Sequence, residues 1–394
     1  MKHILFISIF TLNIFILCSA FVLQNFNQDI LFIYYPFCIV FAILNYICFI
    51  ILTLKYFKLK RTFIYLLLFS LLLIISFVIS DFNNTDIVKI NFYLFFVWSV
   101  PAAIAGIYFS DIDRKEFEKL IKKLYFFNSL LITLTILIPY LLSKLEKPIN
   151  LGLMNYQNIT YITAFTIGLG LYFIISDSYK RNVIYIIMNL ILLPVIFIGA
   201  GRGGTLVLIV YVLITLLNIF KNRNIKFIYK LFTGIFTLVM CFLFYQLSAI
   251  LDKDNRIFAY ITSDGINLDE GASGRNIVYE MDIDAISNSP LLGYGFFNYY
   301  QLTYSVPHNL FLEILLIGGF LLGFIFILFM IYFVFKIYVN YSDEYPDKLV
   351  LYICVYPLLL LMFSTNFLIV SEFWFFIFYF ISRLKNGRLY NKSV

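Results

Sequence analysis

His308 is the residue whose type and position best suit acid–base chemistry. It is one of two histidines in the chain and lies in the segment Val306-Pro-His-Asn-Leu-Phe-Leu-Glu313. Imidazole titrates near neutral pH without help, so His308 is a candidate general base. Asn309 and Glu313 follow closely enough to bind a ligand or to orient the imidazole. On spacing alone, a histidine that only forms hydrogen bonds at the membrane surface explains the position as well.

Arg202 is a second candidate and lies in a glycine-rich turn, Gly199-Ala-Gly-Arg-Gly-Gly204, between two apolar runs. Gly201 and Gly203 let backbone N–H groups approach a ligand, and the turn opens a predicted helix whose N-terminus favours anions. An arginine near lipid is costly. Arg202 therefore either binds an anion or reaches back to the membrane surface from an ordinary hairpin turn.

Arg275 is a third candidate, in Ala272-Ser-Gly-Arg-Asn276, although a lone loop arginine is more often simply solvated. Two guanidinium groups and an imidazole together suit a diphosphate ligand. Guanidinium binds phosphate oxygens through paired hydrogen bonds, and imidazole can take a proton from an attacking hydroxyl. The acidic residues and the five cysteines form no metal-ligand or disulfide pattern, so we predict no cofactor and no metal.

The elements that must position these residues are membrane-spanning helices. Hydrophobic residues make up 62% of the chain, charged residues only 13%, and the mean hydropathy is +0.92. Soluble domains are about half apolar and about a quarter charged. At about 20 residues per span, the apolar runs predict an all-α bundle of about 12 spans. We place the spans at residues 4–23, 30–54, 63–79, 91–109, 124–143, 157–176, 183–199, 203–220, 231–250, 310–335, 349–364 and 367–382.

The distribution of positive charge predicts the orientation of the spans. With the N-terminus inside, the cytoplasmic segments hold 22 of the 29 Lys and Arg residues. By the positive-inside rule both ends of the chain are then cytoplasmic, and the three candidate residues all lie outside. The net charge of +7 is spread over alternate loops rather than gathered in one patch, which argues against nucleic acid as a partner.

One external segment, residues 251–308, is much longer than the other loops and is polar and rich in glycine. Within it, Ile277, Met281 and Ile286 have a helical spacing, which predicts a helix over 273–287 lying against the membrane. The segment Pro290-Leu-Leu-Gly-Tyr-Gly295 predicts a tight turn, and most of the acids of the loop are expected to be solvated. We expect this loop to belong to a single integral membrane domain, residues 1–394.

Three motifs in this order resemble the O-antigen polymerase/ligase family (Wzy and WaaL types). They are the turn around Arg202, then Ser273-Gly-Arg275 with Ser289-Pro-Leu-Leu-Gly-Tyr-Gly295, and then Pro307–Glu313 running into Gly318-Gly-Phe-Leu-Leu-Gly323. The motifs cover about residues 195–325, and the first half of the chain matches only in hydropathy and span count. Ala200 departs from the family, in which a hydroxyl-bearing residue is common at this position.

The resemblance implies a GT-C-like fold and a metal-independent, inverting glycosyltransferase in a bacterial inner membrane, with its site facing the periplasm. The implied donor is a glycan on undecaprenyl diphosphate. Arg202 and Arg275 match the diphosphate-binding arginines of the family, and His308 matches its base. Implied partners are lipid-linked repeat units, membrane lipid, and a chain-length regulator and a flippase of the same pathway.

The sequence favours a polymerase, which adds the growing glycan to an incoming lipid-linked repeat unit. Arg275 and His308 are close in sequence, and Pro307–Glu313 is more polymerase-like. A ligase, which transfers the glycan to lipid A-core, remains an alternative, as does a teichoic-acid or protein-glycan transferase. A polysaccharide flippase or transporter is the alternative from another class. Transporters tend to have repeated halves and ionisable residues at mid-membrane, and the sequence shows neither.

Overall fold

The computed structural model describes residues 1–28, 31–56, 61–145, 149–176, 179–221, 261–262, 265–266, 275–303, 306–342 and 344–390. This part of the chain is almost entirely helical, as predicted. The only strands in it form two short antiparallel hairpins, β1 (Asn150–Leu151) with β2 (Met154–Asn155) and β3 (Ile261–Thr262) with β4 (Gly265–Ile266).

The described helices follow the apolar runs of the sequence. They are α1 (Lys2–Ile9), α2 (Thr11–Phe26), α3 (Leu31–Tyr56), α4 (Arg61–Ile79), α5 (Asp86–Leu94), α6 (Val100–Phe109), α7 (Arg114–Ile132), α8 (Ile138–Leu141), α9 (Tyr156–Ser176), α10 (Tyr179–Gly199), α11 (Arg202–Lys221), α12 (Arg275–Asn288), α13 (Tyr300–Thr303), α14 (Leu310–Asn340), α15 (Asp347–Phe363) and α16 (Ser371–Tyr390). Short π-helical segments, Phe95–Ser99 and Thr133–Leu137, join α5 to α6 and α7 to α8.

Eight helices in the described ranges are long and apolar enough to cross a membrane, counting each π-joined pair as one. The bent pair α1–α2 would be a ninth. The predicted span at 231–250 lies outside the described residues. Helices α15 and α16 lie at the positions of the last two predicted spans, and a 3-10 turn, Phe367–Ile369, stands between them. The chain is thus a helical protein of several membrane spans.

The first predicted span, 4–23, differs from the structure because it is broken into α1 and α2, which meet at 79°. Hydroxyl groups donate hydrogen bonds to the backbone carbonyls at the break. Thr11 Oγ1 donates to the carbonyl of Ile7 at 3.0 Å, and Ser371 Oγ, from α16, donates to the carbonyl of Ile9 at 2.8 Å. A helix bends where side chains replace its own hydrogen bonds, and apolar periodicity does not record such replacements.

The chain divides into two compact units. The first comprises Met1–Phe15, Phe32–Leu120 and Gly274–Val394, and the second comprises Ile16–Leu31 and Ile121–Ser273. The core of the first unit is the packing of α6 on α16. At Gly106 an added Cβ would lie 2.9 Å from the backbone nitrogen of Tyr379, so glycine is needed for the two backbones to approach. The second unit is built around α9, which packs against both α10 and α11.

Within the first unit, helix α14 is interrupted at Gly318 and Gly319, and the predicted turn Pro290–Gly295 fills the interruption. Tyr294 N and Gly295 N donate to the carbonyls of Leu316 and Ile317, both at 2.8 Å. On the other side of the break, Phe320 N donates to the carbonyl of Pro290 at 2.7 Å. Backbone groups left unpaired in a membrane cost several kcal/mol each. The turn therefore supplies the partners that the broken helix lacks.

Gly319→Ala should destabilise the fold. Gly319 has φ 61° and ψ −163°, a region open essentially to glycine only, and a Cβ there would lie 2.6 Å from Leu292 N. The strain alone is worth about 1–3 kcal/mol. We expect a lower thermal unfolding midpoint in detergent. Gly323→Ala on the same helix is the control, because its Cβ would meet only the flexible Leu315 side chain. Equal midpoints for the two variants would contradict this account of the break.

Candidate functional site

The first unit places His308 directly before helix α14. His308 has φ 54°, in the left-handed region that few non-glycine residues adopt, although histidine does so more readily than most. The next residue begins the helix, since Asn309 Oδ1 accepts from the backbone N–H groups of Phe311 and Leu312 at 2.9 and 3.3 Å. Asn309 therefore has a structural role as a helix cap. Its predicted role in substrate binding stays a prediction.

The imidazole of His308 is half-buried and hydrogen-bonded to the backbone of Ser364. Its Nδ1 atom is buried without a hydrogen-bond partner among the described residues, which leaves Nε2–H for the Ser364 carbonyl. Burial lowers the pKa of His308 below its usual 6.5, and the charge of Arg275 lowers it further, while the Ser364 contact acts in the opposite direction. At neutral pH the ring is therefore uncharged and its Nδ1 lone pair is uncommitted, as a general base requires.

Glu313 lies one turn into α14 and is buried, with 1% of its surface exposed. Its Oε1 atom accepts a hydrogen bond from the Tyr299 hydroxyl at 2.7 Å, and the backbone amide of Phe367 lies next to the carboxyl group. Asn366 is fully buried beside it and donates to the Tyr300 hydroxyl, with a longer contact of 3.5 Å to the Tyr299 hydroxyl. The segment between α15 and α16 is thus joined to the start of α14.

Asp282, on α12, is an exception to the expectation that most of the loop acids are solvated. Its side chain is fully buried, and neither carboxyl oxygen has a hydrogen-bond partner in the described part of the chain. Burial raises the pKa of Asp282 to about 7. The helix itself, predicted over 273–287, is confirmed as α12. On its predicted apolar face, Ile277 and Met281 are exposed and Ile286 is buried, and its predicted position against the membrane stays a prediction.

The residues that sequence reasoning missed, besides Asp282, come from segments far apart in the chain. They are Tyr299, Tyr300, Ser364 and Asn366. The paired tyrosines end a polar loop and carry no motif. Ser364 ends the predicted span 349–364 and Asn366 lies in the short connection to the next predicted span, where a polar residue is ordinary. A faint signal existed for Asp282 alone, since it shares a helical face with Ala285 and Ile286.

Arg202, Gly201 and Gly203 lie in the second unit. Helix α10 ends at Gly199, Ala200 adopts a left-handed φ of 52°, and α11 begins at the half-buried Arg202. The glycines have a packing role that the sequence did not reveal. A Cβ at Gly203 would overlap the Tyr161 hydroxyl of α9, and one at Gly201 would overlap the side chain of Thr160. Their predicted role near a ligand stays a prediction, as does the anion-binding role of Arg202.

The helices and the residues around His308 define a membrane protein of several spans, with a neutral, half-buried histidine at the start of one span. Residues 187–328 match the model of the O-antigen ligase family. The chain therefore carries a domain of the Wzy/WaaL-type family, and the resemblance drawn from the three motifs is confirmed. The matched region contains Arg202, Arg275, His308 and Glu313. The match does not separate polymerase from ligase. No curated protein and no solved structure shows significant similarity to the chain.

The protonation of His308 predicts the acid limb of the pH–rate profile. A base acts in its deprotonated form, and the pKa of His308 lies below 6.5, so kcat/KM should fall only below that pH. Arg275→Gln removes a charge that lowers this pKa, so its acid limb should move to higher pH. Arg61→Gln, at the exposed start of α4, is the control. An Arg275→Gln limb that stays in place would show that the guanidinium does not act on His308.

Proposed function

We propose that this protein is a glycosyltransferase that polymerises a bacterial surface polysaccharide from repeat units carried on undecaprenyl diphosphate. The observation that carries the proposal is His308, a neutral imidazole inside the matched O-antigen ligase region, with one ring nitrogen that has no hydrogen-bond partner in the described ranges of the chain. A family whose members transfer glycan, together with a group able to accept a proton, supports enzymatic transfer. The choice of a polymerase over a ligase rests on the sequence of Pro307–Glu313.

In the proposed reaction, Nδ1 of His308 takes the proton of an acceptor sugar hydroxyl. The hydroxyl oxygen attacks the anomeric carbon of the donor glycan, and the bond from that carbon to the diphosphate oxygen breaks. The configuration inverts, and undecaprenyl diphosphate leaves with the bonding electron pair. Arg202 and Arg275 stabilise the charge that develops on this leaving group, which is the kind of electrostatic help that is large in a low-dielectric site. No metal is required by this scheme.

The proposed site faces the periplasm, and both termini are cytoplasmic. Contacts in the first unit join segments that the charge pattern puts on the same side. Lys2 forms an ion pair with Glu116 at 2.5 Å, and Arg383 lies over the Tyr345 ring at 3.4 Å, both between predicted cytoplasmic segments. On the other side, Ser80 Oγ donates to Asn298 Oδ1 at 2.7 Å, between predicted external segments. These pairings support the alternation of cytoplasmic and external segments from which the sidedness was predicted.

A ligase is the second candidate, because the family model that matches is described as O-antigen ligase. A flippase is less well supported. Broken helices are common in transporters, where they line substrate cavities. The break in α14 is instead filled by the backbone of Pro290–Gly295.

Glycolipids from a strain deleted for this gene, and from the same strain complemented with wild type, test the proposal. A polymerase predicts single repeat units on lipid A-core in the deletion and a ladder after complementation. Long glycan stranded on undecaprenyl diphosphate, with bare core, would instead identify a ligase. Repeat units retained on the cytoplasmic face would identify a flippase and contradict both transfer proposals.

A further inference from the structure

The segment Ser364–Val370, between α15 and α16, is the part of the first unit that touches the candidate base from outside the matched family region. It makes three contacts with α13 and with the start of α14. Ser364 accepts from the His308 ring, the Phe367 amide lies beside Glu313, and Asn366 donates to Tyr300. Since the ring contact uses a backbone carbonyl, its geometry depends on how the whole segment is held.

Asn366 holds this segment in place from both ends of its side chain. Its Oδ1 accepts from Leu368 N at 2.6 Å and so fixes the 3-10 turn, while its Nδ2 is bonded to the Tyr300 hydroxyl and close to that of Tyr299. Tyr299 in turn donates to Glu313. Contacts therefore run from the first turn of α14 to Asn366, and the backbone joins Asn366 directly to the Ser364 carbonyl two residues earlier in the chain. All of these side chains are buried.

We propose that Asn366 is a positioning residue for His308, which fixes the Ser364 carbonyl so that the imidazole carries its proton on Nε2 and presents the unprotonated Nδ1. The hydrogen bond of one ring nitrogen decides which nitrogen is available for chemistry. The carbonyl also keeps the ring from rotating. Asn366 itself does not touch the reacting atoms. That His308 is the base rests on the proposed function, whereas its tautomer and its contact with Ser364 do not.

Histidine-specific 15N labelling tests this directly, because His3→Gln leaves His308 as the sole histidine of the chain. In that background, the 15N shifts in detergent should show Nε2 protonated and Nδ1 unprotonated at pH 7.5. Asn366→Ala should lose this single tautomer and lower the pKa of His308, because the Ser364 carbonyl that favours the charged ring is lost. Among the described residues, Arg275, on α12, is the charged group that acts on the ring. Arg275 is retained in the variant, as are the buried acids Asp282, on α12, and Glu313, on α14.

The direction of the pKa change separates positioning from a merely structural role. General loosening around Asn366 would hydrate the ring and raise its pKa toward 6.5, and an unchanged pKa or a rise would overturn the proposal. Tyr300→Phe removes one Asn366 contact with little change of shape and should lower the pKa of His308 by less. If Asn366→Ala does not accumulate, the pKa of His308 in Tyr300→Phe tests the proposal in its place. Asn340→Ala, at the far end of α14, should leave the spectrum unchanged.

The transfer assay gives a separate outcome. If the proposed function holds, Asn366→Ala should lower kcat with little change in KM and move the acid limb of the rate profile to lower pH. A wild type with the predicted tautomer but no transfer activity would contradict the proposed function and leave the positioning of the ring established. Active wild type with a mixed tautomer at His308 would overturn the positioning role alone.

Discussion

His308→Ala should abolish polymer formation while the protein accumulates at the normal level. Removal of a general base typically costs about 10²–10⁴-fold in rate. His308→Gln should lose as much, because Gln can still donate to the Ser364 carbonyl but its amide cannot take the proton. The loss would appear on a glycolipid gel as single repeat units in place of a ladder.

The other histidine of the chain provides the control for this substitution. His3 is exposed at the N-terminus of α1, so His3→Ala should leave the ladder unchanged. A normal ladder from His308→Ala, at a protein level equal to wild type, would remove His308 from the mechanism and the proposed base with it.

Arg275→Gln and Arg202→Gln should each lower the transfer rate by about 10²–10³-fold, the usual effect of removing one group that stabilises developing charge. Arg275→Lys should recover little of this loss, because an ammonium group cannot make the paired hydrogen bonds of a guanidinium. Initial rates measured on purified protein would give these values, with Arg61→Gln as the matched control.

The double variant tests whether the two arginines act on one diphosphate. Independent sites lose free energy additively, whereas groups that share a partner do not. We therefore expect the double variant to lose clearly less than the product of the two single losses. Fully multiplicative losses would indicate that Arg202 and Arg275 serve different ligands, and would contradict the shared role proposed for them.

The parts of the fold that the sequence predicted well are those governed by local patterns. Apolar runs located the helices, glycine and proline located the turn Pro290–Gly295, and helical spacing located α12. The sequence did not predict where that turn goes. Its insertion into the break at Gly318–Gly319 depends on backbone hydrogen bonds between segments about 25 residues apart, which leave no periodic trace in either segment.

The sequence predicted the reactive residues of the candidate site better than it predicted the residues that surround them. His308 and Glu313 could be singled out because histidine is scarce and because a carboxylate follows within one turn. The partners of these residues could not. Asn366 meets Tyr300 across 66 residues of chain, and nothing in the type or spacing of either residue encodes that meeting. Asp282 was not singled out because an acid in a polar loop is ordinarily solvated, and only the packing of α12 buries it.

The central claim is that this chain itself joins repeat units, using a lipid diphosphate as the leaving group. The most direct test incubates the purified protein in detergent with undecaprenyl-diphosphate-linked repeat unit and no other enzyme or nucleotide sugar. The account predicts lengthened lipid-linked glycan, with one undecaprenyl diphosphate released for each new bond, and no product from His308→Ala. Unchanged glycolipid in detergent, with movement of the same lipid across the membrane of proteoliposomes, would contradict it.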